Sequence, residues 1–478
     1  MSELRLYNSI TKKIEVFQPI EKNKIRIYIC GPTVYDSPHI GHARTYISFD
    51  IIRRILSDYF KYDLTFVMNI TNIDDKIIKR AAEKNISCEE LGAIYEKEFF
   101  DEMDKLNVLR PDFITRVTEY VPEIVRFIEK LEEKGLTYES NGSVYFNLKV
   151  YRESFSYNIF RSFTKLETNA ETEEKNSRED FVLWKASKDG DPSYASPWGH
   201  GRPGWHIECS VMSTEVLGDK LDIHAGGIDL AFPHHENEVA QCQGYFGSPW
   251  GQYFLHTGHL NINGLKMSKS LKNFLTIKDI LGLSSANHLR ILFIQHFWNK
   301  DMNYDADQLK EAGAILKKLS NFISNAESLV RRNDVRSMNA LDRKYFVLLD
   351  ETKSSIDEAF KNNIDTPKAL SLMLSLISEV NNDIKIIHTD ILSGILNFIK
   401  RISGVFGIVW AGSKQEDGKG EEIAQLLADF RNKIKISLKA KNEAKDYFKL
   451  CDEAREKLRD FGFIIDDLPD GPILRKSN

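Results

Sequence analysis

The chain has 478 residues, 42% hydrophobic and 28% charged, with 65 Lys and Arg against 70 Asp and Glu for a net charge of −5. That length suits about two to four domains, and the composition is that of a globular chain rather than a disordered one. The charge carries no overall basic excess, so any contact with nucleic acid must rest on local patches.

Cysteines at 30, 88, 209, 242 and 451 are too scattered for a disulfide framework. The start, MSELRLYNSITKKIEVF, has no apolar run of signal-peptide type. The most apolar window, 391–410, is interrupted by Lys400 and Arg401 and reads as buried helix, not as a membrane span. A cytoplasmic protein without a membrane partner is expected.

In chain order, Ile25, Ile27 and Ile29 alternate with Arg26, Tyr28 and Cys30, the pattern of a strand. Gly31, Pro32, Asp36, Ser37 and Pro38 break it into a loop. After His39-Ile40-Gly41-His42 the spacing of Tyr46, Phe49, Ile52 and Leu56 is helical. A helix N-terminus carries unpaired N–H groups and suits a phosphate. His39 and His42 add hydrogen-bond donors beside it, and Gly41 lets a nucleotide approach the backbone. The same tetrapeptide also fits a surface loop with two ordinary histidines.

A second strand is expected over 64–70, then helices over 75–84, 87–106 and 121–134. This alternation predicts an α/β fold with a mostly parallel, Rossmann-type sheet. Residues 143–148 read as a strand outside that rhythm, and 151–180 as a polar, irregular loop. The sheet resumes at 221–224 and 253–256. Lys266-Met267-Ser268-Lys269-Ser270 follows a strand-like run and Gly264. Residues 281–410 are helical by periodicity, as at Ile315, Leu319, Phe322 and Ile323. Residues 411–421 read as a linker. A helical run over 422–459 bears Arg431, Lys433, Lys435, Lys439, Lys441 and Lys445, and a small tail with Gly462, Pro469, Gly471 and Pro472 closes the chain.

Two short stretches are dense in metal-ligand side chains: Gly204 to Cys209 and Phe232 to Glu238. A helix starting near Pro233 puts His234 and Glu238 on one face. Cys30 and Cys209 are remote in sequence, but both fit element ends at the carboxyl edge of the sheet, where open α/β sheets bind ligands. Two thiolates, an imidazole and a carboxylate make a four-coordinate zinc site. No CxxC is present, and scattered Cys and His equally fit a packed core. His235 reads as structural or substrate-facing, Cys88 and Cys242 as small buried residues. Cys451 has no evident role.

His-Ile-Gly-His followed by Lys-Met-Ser-Lys-Ser resembles the double signature of class I aminoacyl-tRNA synthetases. ICGPTVYDSPHIGHART, MNITNIDDKI, DFVLWKASKDGDPSYASPWGHGRPGWHIECSVM, LDIHAGGIDLAFPHHENEVAQ and LKMSKSLKNF resemble, in order, the blocks of the cysteinyl-tRNA synthetase family. The resemblance implies one Zn2+ per chain on Cys30, Cys209, His234 and Glu238, with the substrate thiolate bound to the metal. It implies that L-cysteine reacts with ATP and Mg2+ to cysteinyl-adenylate, then passes to the 3′ end of tRNA(Cys). His39 and His42 would stabilise the α-phosphate, Lys266 and Lys269 the departing phosphates. Thr71, Trp205, His224 and Asp229 are candidates for holding substrate, or equally for supporting the zinc loops.

The implied layout is a Rossmann catalytic domain in two halves, 1–114 and 201–280, around an insertion at 115–200. A tRNA-binding helical bundle follows at 281–410, then a linker and small anticodon-binding module at 411–478, in a monomer. The insertion is too small for a large editing domain. Two departures stand out: 166–179 is shorter and more acidic than the family pattern, and 300–410 is similar only as a bundle. A ligase joining cysteine to an amino sugar shares the catalytic half but lacks much of the C-terminal region. A catalytically dead relative would have eroded signatures. The basic run after Ala411 argues against the first, and the intact histidines, lysines and ligands against the second.

Overall fold

The computed structural model describes residues 3–163, 174–188, 190–266, 274–331, 337–410, 462–468 and 471–476, with positions 428, 431, 452, 455, 456, 458 and 459. Five strands form the central sheet: β1 (Lys24–Ile29), β2 (Asp63–Ile70), β3 (Phe113–Arg116), β4 (Leu221–Gly227) and β5 (Gly251–Thr257). Their order is β5-β4-β1-β2-β3 and every pairing is parallel. This is the Rossmann-type sheet expected from the strand–helix alternation. Ile25, Ile27 and Ile29 are buried as the alternation required, and so is Tyr28, because a central parallel strand is covered on both faces.

The chain leaves β1 toward β2 and β3, then returns on the other side as β4 and β5. The switch point therefore lies between the carboxyl ends of β1 and β4, where such sheets bind ligands. Cys30 follows β1 and its N–H bonds the Ala225 carbonyl of β4 at 3.0 Å. Three helices serve that edge: α1 (Ile40–Arg54) joins β1 to β2, α2 (Trp205–Leu217) leads into β4, and α3 (Glu236–Phe246) joins β4 to β5. Tyr46, Phe49, Ile52 and Leu56 are all buried, as their spacing predicts.

Between β3 and α2 the chain forms a helix, Val121–Glu133, and an antiparallel sheet of Thr137–Ser140, Ser143–Phe146, Phe181–Ala186 and Gly201–Pro203 in that order. The strand expected over 143–148 ends at Phe146, and Leu148–Tyr151 turns into a short helix capped by Asn147. Phe146, Trp184, Tyr28, Val67 and Ile207 share one apolar core. Among the described residues, the inserted sheet thus shares the core of the central one.

The described residues form two compact units, 1–312 with 356–370 and 405–407, and 313–355 with 371–404 and 408–478. In the first, Leu260–Ile262 pairs with both Leu265–Lys266 and Met302–Tyr304. Met302–Tyr304 is a strand the helical periodicity beyond 281 did not show; three residues are too few to carry a period. The helices Ala306–Val330, Ala340–Lys361, Thr366–Asp383 and Thr389–Val405 follow. Within the second unit Leu319, Phe322 and Ile323 are buried and Ile315 half-buried, and Tyr345 donates to Asp383 Oδ2 at 2.7 Å.

An antiparallel hairpin, Phe463–Leu468 with Gly471–Lys476, lies near the end. Arg431, one of the basic residues of the run at 422–459, is buried, with Nη1 2.5 Å from Asp467 Oδ1. Its charge is spent inside the fold. The expected linker at 411–421, most of the helical run at 422–459 and residues 164–173 lie outside the described residues, as does Lys269. Among the described residues no helix is long and apolar enough to cross a membrane.

Candidate active site

The start of α1 is capped by the two histidines themselves. His39 is the N-cap, with extended backbone at φ −122° and ψ 171°. Its Nδ1 accepts the N–H groups of Gly41 at 3.1 Å and His42 at 3.4 Å. His42 Nδ1 accepts the N–H of His39 at 3.2 Å, and the two rings stack at 3.7 Å and 17°. This is a capping box built from imidazoles, satisfying N–H groups that a helix leaves open. A lone pair must sit on each Nδ1 to receive an N–H, so the proton of each neutral ring sits on Nε2. Burial holds His42 well below its ordinary pKa, with His39 adding to the effect. Sequence reading missed the capping role, because His is not among the usual N-cap residues.

Residues just past the second signature reach the same place. Ile40 N–H bonds the Leu275 carbonyl at 3.0 Å and Ile277 N–H the Pro38 carbonyl at 3.1 Å, while the Phe274 ring meets His39 edge-on at 5.4 Å. Lys266 ends its strand on the other side of that signature.

The four candidate ligands converge. Cys30 Sγ lies 3.8 Å from Cys209 Sγ and 3.6 Å from Glu238 Oε1. His234 Nε2 lies 3.2 Å from the same Oε1. All four are buried, with their ligand atoms within 4.8 Å of one another. The expected helix start near Pro233 is a wider turn over Ala231–His235 that passes into α3 at Glu236, yet the four-residue spacing still brings His234 and Glu238 together. Gly31, next to Cys30, packs tightly on β2: a Cβ there would fall 1.7 Å from the Asn69 carbonyl oxygen.

Burial raises the thiol pKa of Cys30 well above its ordinary value, and the hydrogen bond with Cys209 raises it further. Burial raises Cys209 too and holds His234 well below the usual imidazole range. Two thiols, a neutral imidazole and a carboxylate, packed in a site that disfavours uncompensated charge, fit a divalent cation.

The neighbouring histidines support this cluster. His224 Nε2 sits 2.8 Å from Glu238 Oε2, the oxygen turned away from His234. It therefore orients a candidate ligand, the supporting role sequence reading had set beside substrate binding. His235 is buried, with Nδ1 2.7 Å from His256 Nε2, whose Nδ1 reaches Ser9 Oγ at 2.8 Å. Cys30, His224, His235 and Glu238 form a second group with metal-ligand spacing on the same spot. His206 Nδ1 lies 2.9 Å from His234 Nδ1. His206 stood in the ligand-dense stretch Gly204 to Cys209 but was given no role, and His256 stood in none; only the fold sets them beside His234 and His235.

Trp205 is 37% exposed, and its ring stacks on His234 at 4.4 Å and 28°. Thr71 is buried at the end of β2, its hydroxyl 3.2 Å from Glu208 Oε2. Asp229 is exposed just past β4, against Gly227, where a Cβ would fall 2.4 Å from its Oδ1. Cys242 is buried as expected, whereas Cys88 is only half-buried, because it opens the helix Cys88–Lys105 on the surface.

Residues 16–314 match the family model of the tRNA synthetases class I (C) catalytic domain. The chain is 52% identical over 478 residues, 99% of both chains, to the cysteine–tRNA ligase of Encephalitozoon cuniculi. It belongs to the cysteine–tRNA ligase family. The enzyme of that name from Methanococcus maripaludis strain C7 is 38% identical over 99% of this chain and all of its own. Membership in this ligase family therefore extends through 300–410, where sequence blocks were weak, to the hairpin at the end. Among solved structures, Mycobacterium tuberculosis methionyl-tRNA synthetase aligns with a TM-score of 0.60 at 15% identity, covering 80% of this chain and 89% of its own. A LeuRS–tRNA complex from Agrobacterium radiobacter aligns at 0.61 and 11% identity, covering 82% and 84%. These two likenesses show a shared class I fold.

Proposed function

We propose that the chain is a cysteine–tRNA ligase that activates L-cysteine with Mg-ATP to cysteinyl-adenylate and transfers it to the 3′ end of tRNA(Cys). The observation that carries this reading is the convergence of Cys30, Cys209, His234 and Glu238 at the switch point of the sheet, beside the capped start of α1. Cys30, Cys209, His234 and Glu238 would hold Zn2+, which when bound supplies a thiophilic partner for the substrate sulfur. His224 orients Glu238, and Trp205 walls the site next to His234. The Asp229 carboxylate, exposed at the carboxyl end of β4, suits the substrate ammonium, with Thr71 as a further substrate contact.

Nε2–H donors of His39 and His42, with the N-terminus of α1 and Gly41, face the α-phosphate as charge develops. Lys266 and Lys269 take the departing diphosphate. Selectivity against serine comes from the donor set rather than from size. A site built to bind one specific atom rejects an analogue lacking it far more strongly than an apolar pocket rejects a similar shape. No editing site is then needed.

The domain assignment follows: catalytic halves at 1–114 and 201–280, the insertion at 115–200, a tRNA-binding bundle at 281–410 and an anticodon-reading module at 411–478. A monomer suffices, because one chain supplies every residue of the site. Free thiols at these positions suit the reducing cytoplasm.

The test is ATP-dependent transfer of labelled cysteine to bulk tRNA with serine as control. Charging with cysteine alone is expected. Cysteine-dependent diphosphate exchange without charging would overturn the tRNA half of the reading.

A further inference from the structure

Helix α1 carries a third functional group besides its capping histidines. Arg44, two residues past His42, is 1% exposed and forms no ion pair at bonding distance among the described residues, although the Asp301 carboxylate acts on it electrostatically. Its Nη1 donates to the Phe293 carbonyl at 3.3 Å, and its Nη2 to those of Phe297 at 2.8 Å, Trp298 at 3.5 Å and Lys300 at 3.5 Å. Burying a cation is costly unless its donors are satisfied. Here four backbone carbonyls take the two terminal nitrogens, while Nε is buried without a partner; the carbonyls lie at and just past the end of the helix Ala286–Ile294, where the partial charge of a helix C-terminus favours a cation.

The segment held by Arg44 is the support of the hairpin that ends at Lys266. Gly258 N–H bonds the Trp298 carbonyl at 3.1 Å, and Met302 N–H returns to the His259 carbonyl at 2.9 Å. His259 N–H bonds Asp301 Oδ1 at 2.8 Å. Gly258 has no room for a side chain, since a Cβ would fall 2.2 Å from the Lys300 carbonyl. Met302–Tyr304 then pairs with Leu260–Ile262, which pairs with Leu265–Lys266. At the turn of that hairpin Asn303 Oδ1 accepts the Gly264 N–H at 2.5 Å. An unbroken run of backbone contacts therefore joins Arg44 to Lys266.

We propose that Arg44 is a positioning residue for adenylate formation, fixing the hairpin that ends at Lys266 against the helix that carries His39 and His42. This rests on the ligase reading above. Adenylation needs donors at the α-phosphate and at the departing phosphates in one fixed arrangement, and a misplacement of about 1 Å can cost about 100-fold in rate. Lys cannot reproduce four contacts made by a planar fork. The metal-ligand cluster hangs from β1, α2 and the turn into α3, none of which accepts a hydrogen bond from Arg44. Loss of Arg44 should therefore leave cysteine binding in place.

The experiment is cysteine-dependent ATP–diphosphate exchange with full-length wild type, Arg44→Lys, Asn303→Ala and the double variant, with metal content and thermal midpoint recorded. Arg44→Lys is expected to lower kcat by about 10- to 100-fold, with KM for cysteine within about twofold and bound metal unchanged. Asn303 is exposed, so Asn303→Ala keeps the fold and should lower kcat by a smaller factor. The double variant should fall short of the product of the two losses, because both act through one hairpin. An unchanged kcat in Arg44→Lys overturns the proposal, as does a loss of metal and cysteine affinity in step with kcat. Should Arg44→Lys fail to fold, an unchanged kcat in Asn303→Ala overturns it. A wild-type chain without exchange would refute the ligase reading itself, and with it this assignment.

Discussion

The sulfur atoms of Cys30 and Cys209 lie 3.8 Å apart, although 179 residues separate them in the chain. One follows the first strand of the sheet and the other lies on the helix that leads into the fourth. Their meeting marks the point where the strand order reverses, and it places two thiols where only a shared cation relieves the cost of charging both.

Cys209→Ser replaces a thiolate donor with a hydroxyl that stays protonated. Removing even a supporting residue of a metal site typically costs about 10- to 100-fold in affinity, so loss of a ligand should cost about 100-fold or more. Metal content of the purified variant, read by elemental mass spectrometry, checks this. Full occupancy would remove Cys209 from the ligand set.

His224 and Asp229 should separate cleanly. His224→Ala takes away the partner of Glu238 Oε2 at 2.8 Å, and metal affinity should fall by about 10- to 100-fold. Asp229 is exposed, so Asp229→Asn should leave metal content intact and raise KM for cysteine. A competitive chelator titration read beside exchange kinetics distinguishes the two, and equal behaviour would show that one assignment is wrong.

His39→Asn is informative because Asn is a strong N-cap. The helix start should hold, with a thermal midpoint near that of wild type. Losing the Nε2–H donor should lower the exchange rate by about 100- to 1000-fold, the usual cost of one transition-state donor. Retained activity would leave His39 with the cap alone.

Asp50 sits under a buried ionic network. Its Oδ2 takes Nη2 of Arg290 at 2.7 Å and Nε of Arg54 at 2.8 Å, and its Oδ1 takes the Leu109 N–H at 2.8 Å. Asp50→Ala leaves the Arg290 guanidinium buried without its carboxylate, which should cost about 3–5 kcal/mol. The shift in denaturant midpoint measures it, and a shift under about 1 kcal/mol, within the range of exposed pairs, would contradict the network.

Glu102 offers a pH signature. It is buried, with Oε2 lacking a hydrogen-bond partner, and burial followed by the nearby Glu98 raises its pKa from 4.5 to about 7. The folded chain keeps this proton up to about 7, whereas the unfolded chain releases it near 4.5. Its contribution to stability is therefore complete below the lower value and is lost as pH rises through the upper one. Glu102→Gln should narrow the difference in thermal midpoint between about pH 5 and about pH 8. An identical pH slope in both proteins would place the raised pKa elsewhere.

Much of the catalytic half was legible in the chain because its signals are local. Strand and helix periods mark β1, β2 and α1, and a four-residue spacing links His234 to Glu238 even though the expected helix begins later, at Glu236. Other features had no local signal. His256 follows no pattern that ties it to His235, and the strand Met302–Tyr304 is too short to show a period. Arg431 looks solvated in a basic run, and only the hairpin that brings Asp467 beside it makes it an interior residue.

By itself the sequence determined the residue types of the site, the order of strands and helices, and the presence of the two signatures. These follow from side-chain chemistry and from backbone periods a few residues long. The tertiary structure alone decided which of the scattered Cys, His and Glu meet, that both signature histidines spend Nδ1 on capping their own helix, and that Arg44 bonds the carbonyls of Phe293, Phe297, Trp298 and Lys300. Those contacts depend on parallel pairing and helix packing between residues tens to hundreds of positions apart, and no local period encodes a distance of that kind.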